Sequence, residues 1–487
     1  MPIILKQLVF CAIGCFAGIY VGAIPGLSVT MATSLLIAMT YSWSTEAALA
    51  VMMGVYIGGV YGGSRAAILL NIPGAPSAVA TTFDGYPLAK RGEAGHAIAT
   101  STITSVVGGL IGTLFLFFGA PQVAKIALSF GPRDYMLLTL MGLMLVGSIS
   151  GKSMLKGLFA ATVGLMLGVI GMDPITGIGR FTFGNVNMRG GISYIPVMIG
   201  LFGVGESLYQ ILHRNAPIIK QKVDSIRPPF EKIAKMIPIA AFAGVLGTIV
   251  GALPGAGGDI AALLAYDSTK RVVRNPERPF GEGTLEGIVA PESANNAAIG
   301  GALIPMLTLG IPGDSVTAIF IGALSIHGIR AGSMLMTEQP ELFTNLVWLS
   351  AASNVFLLIF GMMGIRIFAK LTEIPRNILL PLIIVISVIG SYSINNMPID
   401  IVWTLLAGII GYFMKYYGVP VAPMVLGLIL GPTIEVNFRR ATISAGSVGG
   451  MFVDIFTHPL SLVLFAILVL MMGSQVLSSI KSNKKEQ

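Results

Sequence analysis

Gly18-Ile-Tyr-Val-Gly-Ala-Ile-Pro-Gly26 returns later in the chain as Gly247-Thr-Ile-Val-Gly-Ala-Leu-Pro-Gly255, with six of nine positions identical at an offset of 229 residues. A second pair follows in the same order: Leu70-Asn-Ile-Pro-Gly74 and Leu309-Gly-Ile-Pro-Gly313, offset by 239. Gly62-Gly63 and Gly300-Gly301 precede that pair at nearly the same spacing, and a polar insertion around 267–283 takes up the difference in offset. Two matched pairs, near half the chain length apart, mark an internal duplication.

The surrounding composition states the solvent. Of 487 residues, 54% are hydrophobic and 11% charged, and mean hydropathy is +0.84. A soluble domain carries about 25% charged residues, and no water-soluble core of this length buries so much apolar side chain. Disorder is excluded by the same hydrophobicity. The chain reads as an all-α integral membrane protein, because the short alternating segments of a barrel are missing. Spans of about 20 residues are expected at 8–24, 47–70, 97–118, 135–149, 155–171, 192–212, 236–250, 288–309, 342–369, 378–390, 401–417 and 460–477. That makes roughly 12, with re-entrant or broken helices after the Pro-Gly pairs.

The net charge of +8 sits in connectors between apolar runs, the pattern of membrane orientation and not of nucleic-acid binding. The connector 213–235 holds Arg214, Lys220, Lys222, Arg227, Lys232 and Lys235 against Asp224 and Glu231. It divides the chain into a first membrane repeat (1–212), this basic linker, a second repeat (236–480) and a tail (481–487). The linker, 270–278 and the tail are expected to face the cytoplasm. The apolar run behind Lys6 has no small-residue cleavage site and reads as a retained first helix. Cys11 and Cys15, four apart within it, read as small apolar fillers on one helix face.

Glycine recurs every fourth residue at Gly14, Gly18, Gly22 and Gly26, and again at Gly247, Gly251 and Gly255. Such stripes let another backbone approach closely. Packing does not account for the Pro-Gly that ends each stripe, since proline removes a donor and glycine lets the chain leave helical geometry. Freed backbone inside a membrane must be buried in protein or line a wet cavity. Half-helix N-termini favour anions, and C-termini present carbonyls suited to Na+. A carboxylate site is therefore expected at the breaks. The first pair offers Pro25, Gly26 and Ser28 opposite Gly255 and Gly257; the second offers Asn71, Pro73, Gly74 and Ser77 opposite Pro312, Gly313 and Ser315. Arg65, inside an apolar run, reads as a counter-charge for an anion or as the partner of Asp259, Glu292 or Asp314. Asn295 and Asn296 offer amides to a carboxylate or an ion, and Asp259 and Asp314 are the expected Na+ ligands.

Catalytic patterns are missing. Gly147-Ser-Ile-Ser-Gly151-Lys-Ser153 lacks the first phosphate-loop glycine, with Val146 in its place, so ATP-driven pumping is not expected. His96, His213, His327 and His458 have no metal-ligand spacing. The chain reads as no enzyme, with no cofactor beyond Na+ or H+ as coupling ion. A channel built on the same breaks, or a membrane enzyme using Asp259 and Glu292, are the alternatives.

Gly22-Ala-Ile-Pro-Gly26, Tyr61-Gly-Gly-Ser64 leading to Leu69-Leu-Asn-Ile-Pro-Gly74, Asp84-Gly-Tyr-Pro87, Glu292 with Asn295-Asn296, and Leu309-Gly-Ile-Pro-Gly313 together carry a resemblance. The chain resembles, over essentially its whole length, the large membrane subunit of bacterial tripartite tricarboxylate transporters (TctA type). The likeness implies a secondary transporter of the inner membrane, working with a periplasmic solute-binding receptor and a small membrane subunit of about four helices. It also implies uptake of citrate or related small carboxylates driven by a cation gradient.

For Arg65→Ala the expected outcome is a loss of anion affinity that exceeds the loss of protein from the membrane. Labelled-anion binding set against immunoblotted protein measures it; equal losses would mark the residue as structural.

Overall fold

The computed structural model describes residues 3–24, 27–149, 154–173, 175–213, 230–363 and 376–486. Among these, regular structure is helical apart from one hairpin that pairs Gly171–Met172 with Gly179–Arg180.

Helices α1 (Ile3–Ala23) and α3 (Thr45–Leu70) lie backbone to backbone along the glycine stripe. A Cβ added to Gly14 would sit 2.2 Å from the Val51 carbonyl oxygen, one on Gly18 2.5 Å from that of Val55, and one on Gly22 2.1 Å from that of Gly59. The contact numbers rise together, so α1 and α3 are parallel. The intervening helix α2 (Val29–Thr40), 12 residues long, must therefore run back between them. At 1.5 Å per residue it covers about 18 Å, too little to cross a bilayer. Helix α4 (Val79–Lys90) follows the break after α3 and continues in its direction, with Gly85 against Ile68.

The second half builds the same arrangement. Helices α9 (Phe230–Gly251) and α11 (Glu286–Leu309) are parallel: a Cβ added to Gly247 would lie 2.2 Å from the Ala294 carbonyl oxygen and one on Gly251 2.3 Å from that of Ala298. Helix α10 (Gly257–Val272) returns between them, and α12 (Ser315–Ile326) follows the break after α11.

The long helices that come next interlock the halves. Helix α5 (Ala94–Ala127) packs on α11 and α9, so closely that a Cβ added to Gly108 or Gly112 would lie 2.0 or 2.4 Å from the carbonyl oxygen of Ser293 or Ala297. Helix α13 (Pro340–Met363) packs on α1 and α3, where the Cys11 Sγ meets Ser353 Oγ at 2.9 Å. Both cysteines are free and fully buried, as small fillers should be. Around this centre α6 (Pro132–Ile149) and α7 (Met154–Gly168) pack against α16 (Ala422–Ser444) and the bent pair α17 (Val448–Thr457) and α18 (Pro459–Glu486). A second group joins α2 to α8 (Tyr194–Leu212), α14 (Arg376–Asn395) and α15 (Pro398–Tyr416). Phe118, Trp348 and Leu470 stand out from the periphery at 65, 70 and 72% exposure, as lipid-facing side chains would.

Among the described residues eight helices are long and apolar enough to cross a membrane, or nine if the bent pair counts as one span. The expected figure of roughly 12 is thus not reached. Arg133 and Asp134 open α6, α7 has only 15 residues, and α11 holds Glu286, Glu292, Asn295 and Asn296. Helix α11 is buried throughout, so its polarity is met by protein and not by lipid.

Gly18→Ala should destabilise the protein in detergent by about 1–3 kcal/mol through forced separation of α1 and α3. Gly190→Ala, where nothing lies within 4 Å, should leave the melting temperature unchanged. Fluorescence-detected thermal unfolding compares the two.

Candidate functional site

Four helix ends meet inside the molecule because each half contributes two breaks. In the first, α1 stops at Ala23 and Ser28 caps α2, its Oγ accepting the Met31 N–H at 3.0 Å. The expected site residues Pro25 and Gly26 lie outside the described residues. In the second, Asn71 ends α3 in the left-handed region at φ 58°, a conformation that Asn tolerates better than most side chains. Beyond Pro73, Gly74 donates its N–H to the Gly63 carbonyl at 3.2 Å. A Cβ on Gly74 would lie 2.0 Å from the Gly22 carbonyl oxygen, so only glycine fits.

The breaks of the second half echo these. Gly310 ends α11 at φ 70°, the place that Asn71 holds in α3. Gly313 packs against Ala302 as Gly74 packs against Gly63, both partners shifted by 239 residues. Gly255, after α9, donates to the Gly313 carbonyl at 2.7 Å, beside Pro312. Asp314 caps α12 with a capping box, its Oδ1 accepting the Thr317 N–H at 2.8 Å just ahead of Ser315.

These ends converge on a polar junction. Gly257, at φ 59°, opens α10 so close to Asp314 that an added Cβ would lie 3.3 Å from the Asp314 Cβ. One on Gly258 would lie 3.2 Å from the Asn295 carbonyl oxygen and 3.7 Å from the Ser77 Cβ. The Tyr56 hydroxyl, from inside α3, donates to Asp314 Oδ2. Asp259, one residue further along α10, is an electrostatic neighbour of both Tyr56 and Asp314. Ser77, Gly257, Asn295, Asp259 and Asp314 are thereby brought together from both halves. Ser28 is committed to its helix cap. Arg65 points elsewhere: its Nε donates to the Tyr61 hydroxyl at 3.1 Å and a guanidinium N–H donates to the Gly361 carbonyl. The ring of Tyr61 lies 5.2 Å below it.

Two buried carboxylates beside the junction were not assigned these roles from sequence. Asp84, in α4, accepts the N–H groups of Gly281, Gly283 and Thr284 at 3.0, 2.9 and 2.9 Å, and the Tyr266 hydroxyl at 2.9 Å. It pins the loop between α10 and α11 to α4. Glu292, in α11, accepts the hydroxyls of Thr81, Ser101 and Ser105. Ser101 and Ser105, one turn apart in the hydroxyl-rich stretch 100–105 of α5, are the sequence signal for this cage. Asn296 donates to the Glu292 carbonyl at 3.1 Å and to Asn295 Oδ1 at 3.0 Å. Among the described residues no three His, Cys, Asp or Glu side chains gather as a metal centre. A cavity of about 1590 Å³ opens away from the junction, lined by Thr45, Glu46, His327, Glu338, Glu341 and Trp348 among others.

One end of the molecule is strongly charged. Lys232 pairs with Glu277 at 2.6 Å and Arg278 with Glu93 at 2.8 Å, which gathers Lys90, Arg91 and Arg274 at the same end. The Arg278 hydrogen bond holds the Glu93 carboxyl below its ordinary range. At the hairpin, the N–H of Ile175 does the same for Asp173, which also pairs with Arg439.

A family model described as "Tripartite tricarboxylate transporter TctA family" matches residues 8–426. An uncharacterized 52.8 kDa protein from the TAR-I ttuC' 3' region of Agrobacterium vitis is 36% identical over 479 residues, 98% of this chain and 95% of its own length. An uncharacterized protein from the TAR-II ttuC' 3' region of the same organism is 37% identical over 240 residues, 49% of this chain and 98% of its own length. No solved structure matches the chain.

Asp84→Ala should free the loop at 273–285, because three backbone donors and a phenol lose a charged acceptor worth about 1.5–3 kcal/mol per bond. Trypsin cleavage at Arg274 should accelerate about tenfold or more, with Asp84→Asn intermediate; timed digestion followed by mass spectrometry measures it.

Proposed function

The chain belongs to the tripartite tricarboxylate transporter TctA family, and on that premise we propose that it is the permease subunit importing small citrate-like carboxylates through the polar junction of the four breaks. It is a multi-pass membrane protein of a transporter family. In this reading a periplasmic solute-binding receptor delivers the substrate, a small membrane subunit completes the assembly in the inner membrane, and a Na+ gradient drives uptake.

The observation that carries the proposal is the convergence of Ser77, Gly257 and Asp314, at the ends of interrupted helices of both halves, on Asn295 inside α11. Helix N-termini at α10 and α12 offer N–H dipoles to a carboxylate. Asp259 and Asp314 are the carboxylates beside them, and Asn71, Pro73, Gly74, Gly255, Pro312, Gly313 and Ser315 set the shape of the turns. Tyr56 and Gly63, which touch the two sets of breaks, belong to the interior of the 26-residue α3, so the junction sits at depth.

Helix directions support an inverted repeat of 1–212 and 236–480. Helix α4 continues α3, yet Asp84 lies beside Gly287 while Thr81 reaches Glu292, so α4 and α11 are antiparallel. The second set of helices consequently runs opposite to the first, the arrangement in which many transporters place substrate at the midplane. The basic end around Lys232 and Arg278 then faces the cytoplasm.

The test is uptake of labelled citrate and other carboxylates into proteoliposomes holding both membrane subunits. Saturable uptake that needs the receptor and an inward Na+ gradient, without ATP, is expected; receptor-independent conductance would favour a channel. Gly257→Ala should lower uptake about tenfold at unchanged protein level, since a side chain in the left-handed region costs roughly 1–2 kcal/mol at this turn.

A further inference from the structure

Asp84 and Glu292 are both completely buried on the α4–α11 interface, but they are satisfied in different ways. Asp84 is held by three fixed backbone N–H groups and a phenol. Glu292 meets only hydroxyls that rotate: Thr81 on Oε1, Ser101 and Ser105 on Oε2, each of the last two at 2.9 Å. Ser64 Oγ is buried beside the same carboxylate. One turn along α11, the buried amide oxygen of Asn296 has no hydrogen-bond partner among the described residues. No Lys, Arg or His of the described residues forms an ion pair with Glu292. A buried carboxylate without a countercharge is costly, and one that persists calls for a cation.

We propose that Glu292 is the binding site of the coupling Na+, with the hydroxyl oxygens of Thr81, Ser101 and Ser105 and the Asn296 amide oxygen as its further ligands. The inference deepens the reading of the chain as a cation-coupled permease and moves the ion from Asp259 and Asp314 to Glu292. The donor set is all oxygen, as a hard cation requires. A hydroxyl that donates to the carboxylate can turn and present its lone pairs to an ion, whereas a backbone N–H cannot. That difference separates an exchangeable site at Glu292 from a structural one at Asp84.

The position supplies the coupling. Thr81 lies one turn beyond Ser77 on the chain that leaves the second break, and the neighbouring Asn295 carbonyl faces Gly258 at the third. An ion at Glu292 draws α4, α5 and α11 together and so fixes the spacing of the two helix ends that frame the substrate junction. The ion and the carboxylate substrate then favour the same closed arrangement, which is positive coupling between separate sites.

The test is equilibrium 22Na+ binding to the full chain in nanodiscs at constant ionic strength, with choline as replacement and no substrate. Wild type should bind Na+ saturably and melt at higher temperature in its presence. Glu292→Gln should abolish both responses, Ser105→Ala should raise the half-saturating Na+ about tenfold, and Asp259→Asn with Asp314→Asn should leave both intact. Should Glu292→Gln fail to fold, the Ser105→Ala shift against the unaffected aspartate variants decides. Wild-type Na+ binding retained in folded Glu292→Gln, or abolished in the aspartate variants, would overturn the assignment. So would an infrared carboxylic-acid band from Glu292 that persists in saturating Na+. Na+-driven uptake that survives Glu292→Gln would sink this site and leave the transport reading standing. Na+ bound at Glu292 in a protein that moves no carboxylate would do the reverse.

Discussion

A helix that stops inside an apolar medium leaves backbone N–H and C=O groups that nothing in the lipid can satisfy. The whole centre of this protein is an answer to that constraint. At Gly74 and Gly255 the freed N–H groups find carbonyls at Gly63 and Gly313. At Ser28 and Asp314 the side chain substitutes for the missing turn. The first solution needs the break to lie against another backbone. Glycine is therefore required on both sides of the contact, as the overlap between a Gly74 Cβ and the Gly22 carbonyl makes plain. Close helix packing and broken helix ends are one device here: the stripe brings the backbones near enough for the breaks to be closed by them.

The interlocking of the halves follows from the same closeness. Helix α5 carries Gly108 and Gly112 to the carbonyls of α11, and α13 carries Ser350 and Ser353 to Thr113 of α5 and Cys11 of α1. Each half closes its own breaks, and each lends a long helix to the other. A polar junction assembled in this way belongs to the interface between halves, and it responds to any shift of one against the other. The two caged carboxylates flank that interface. Asp84 joins α4 to the loop before α11 with rigid donors, and Glu292 joins α4, α5 and α11 with donors that turn.

Much of the centre was legible before any coordinates. Pro-Gly acts within a few residues, so the breaks at 71–74 and 310–313 could be placed from sequence, and their repetition pointed to a duplication. The buried polarity of Glu292, Asn295 and Asn296 could also be read. Partners could not. Nothing local says that Ser101 and Ser105 turn toward Glu292, or that Arg65 turns toward Gly361. The span count failed for a related reason. Stretches such as α11 look long enough, but Glu286, Glu292, Asn295 and Asn296 break their apolar character, and α11 meets that polarity with protein.

What the amino-acid sequence determined by itself was the solvent, the helical class and the places where helices must stop, because composition and the chemistry of proline and glycine act without reference to distant residues. What only the tertiary structure decided was which break faces which, how α5 and α13 change sides, and that two carboxylates 208 positions apart lie on one interface with opposite kinds of support. Those outcomes depend on the match of one helix surface to another, and a surface has no meaning until its neighbour is in place.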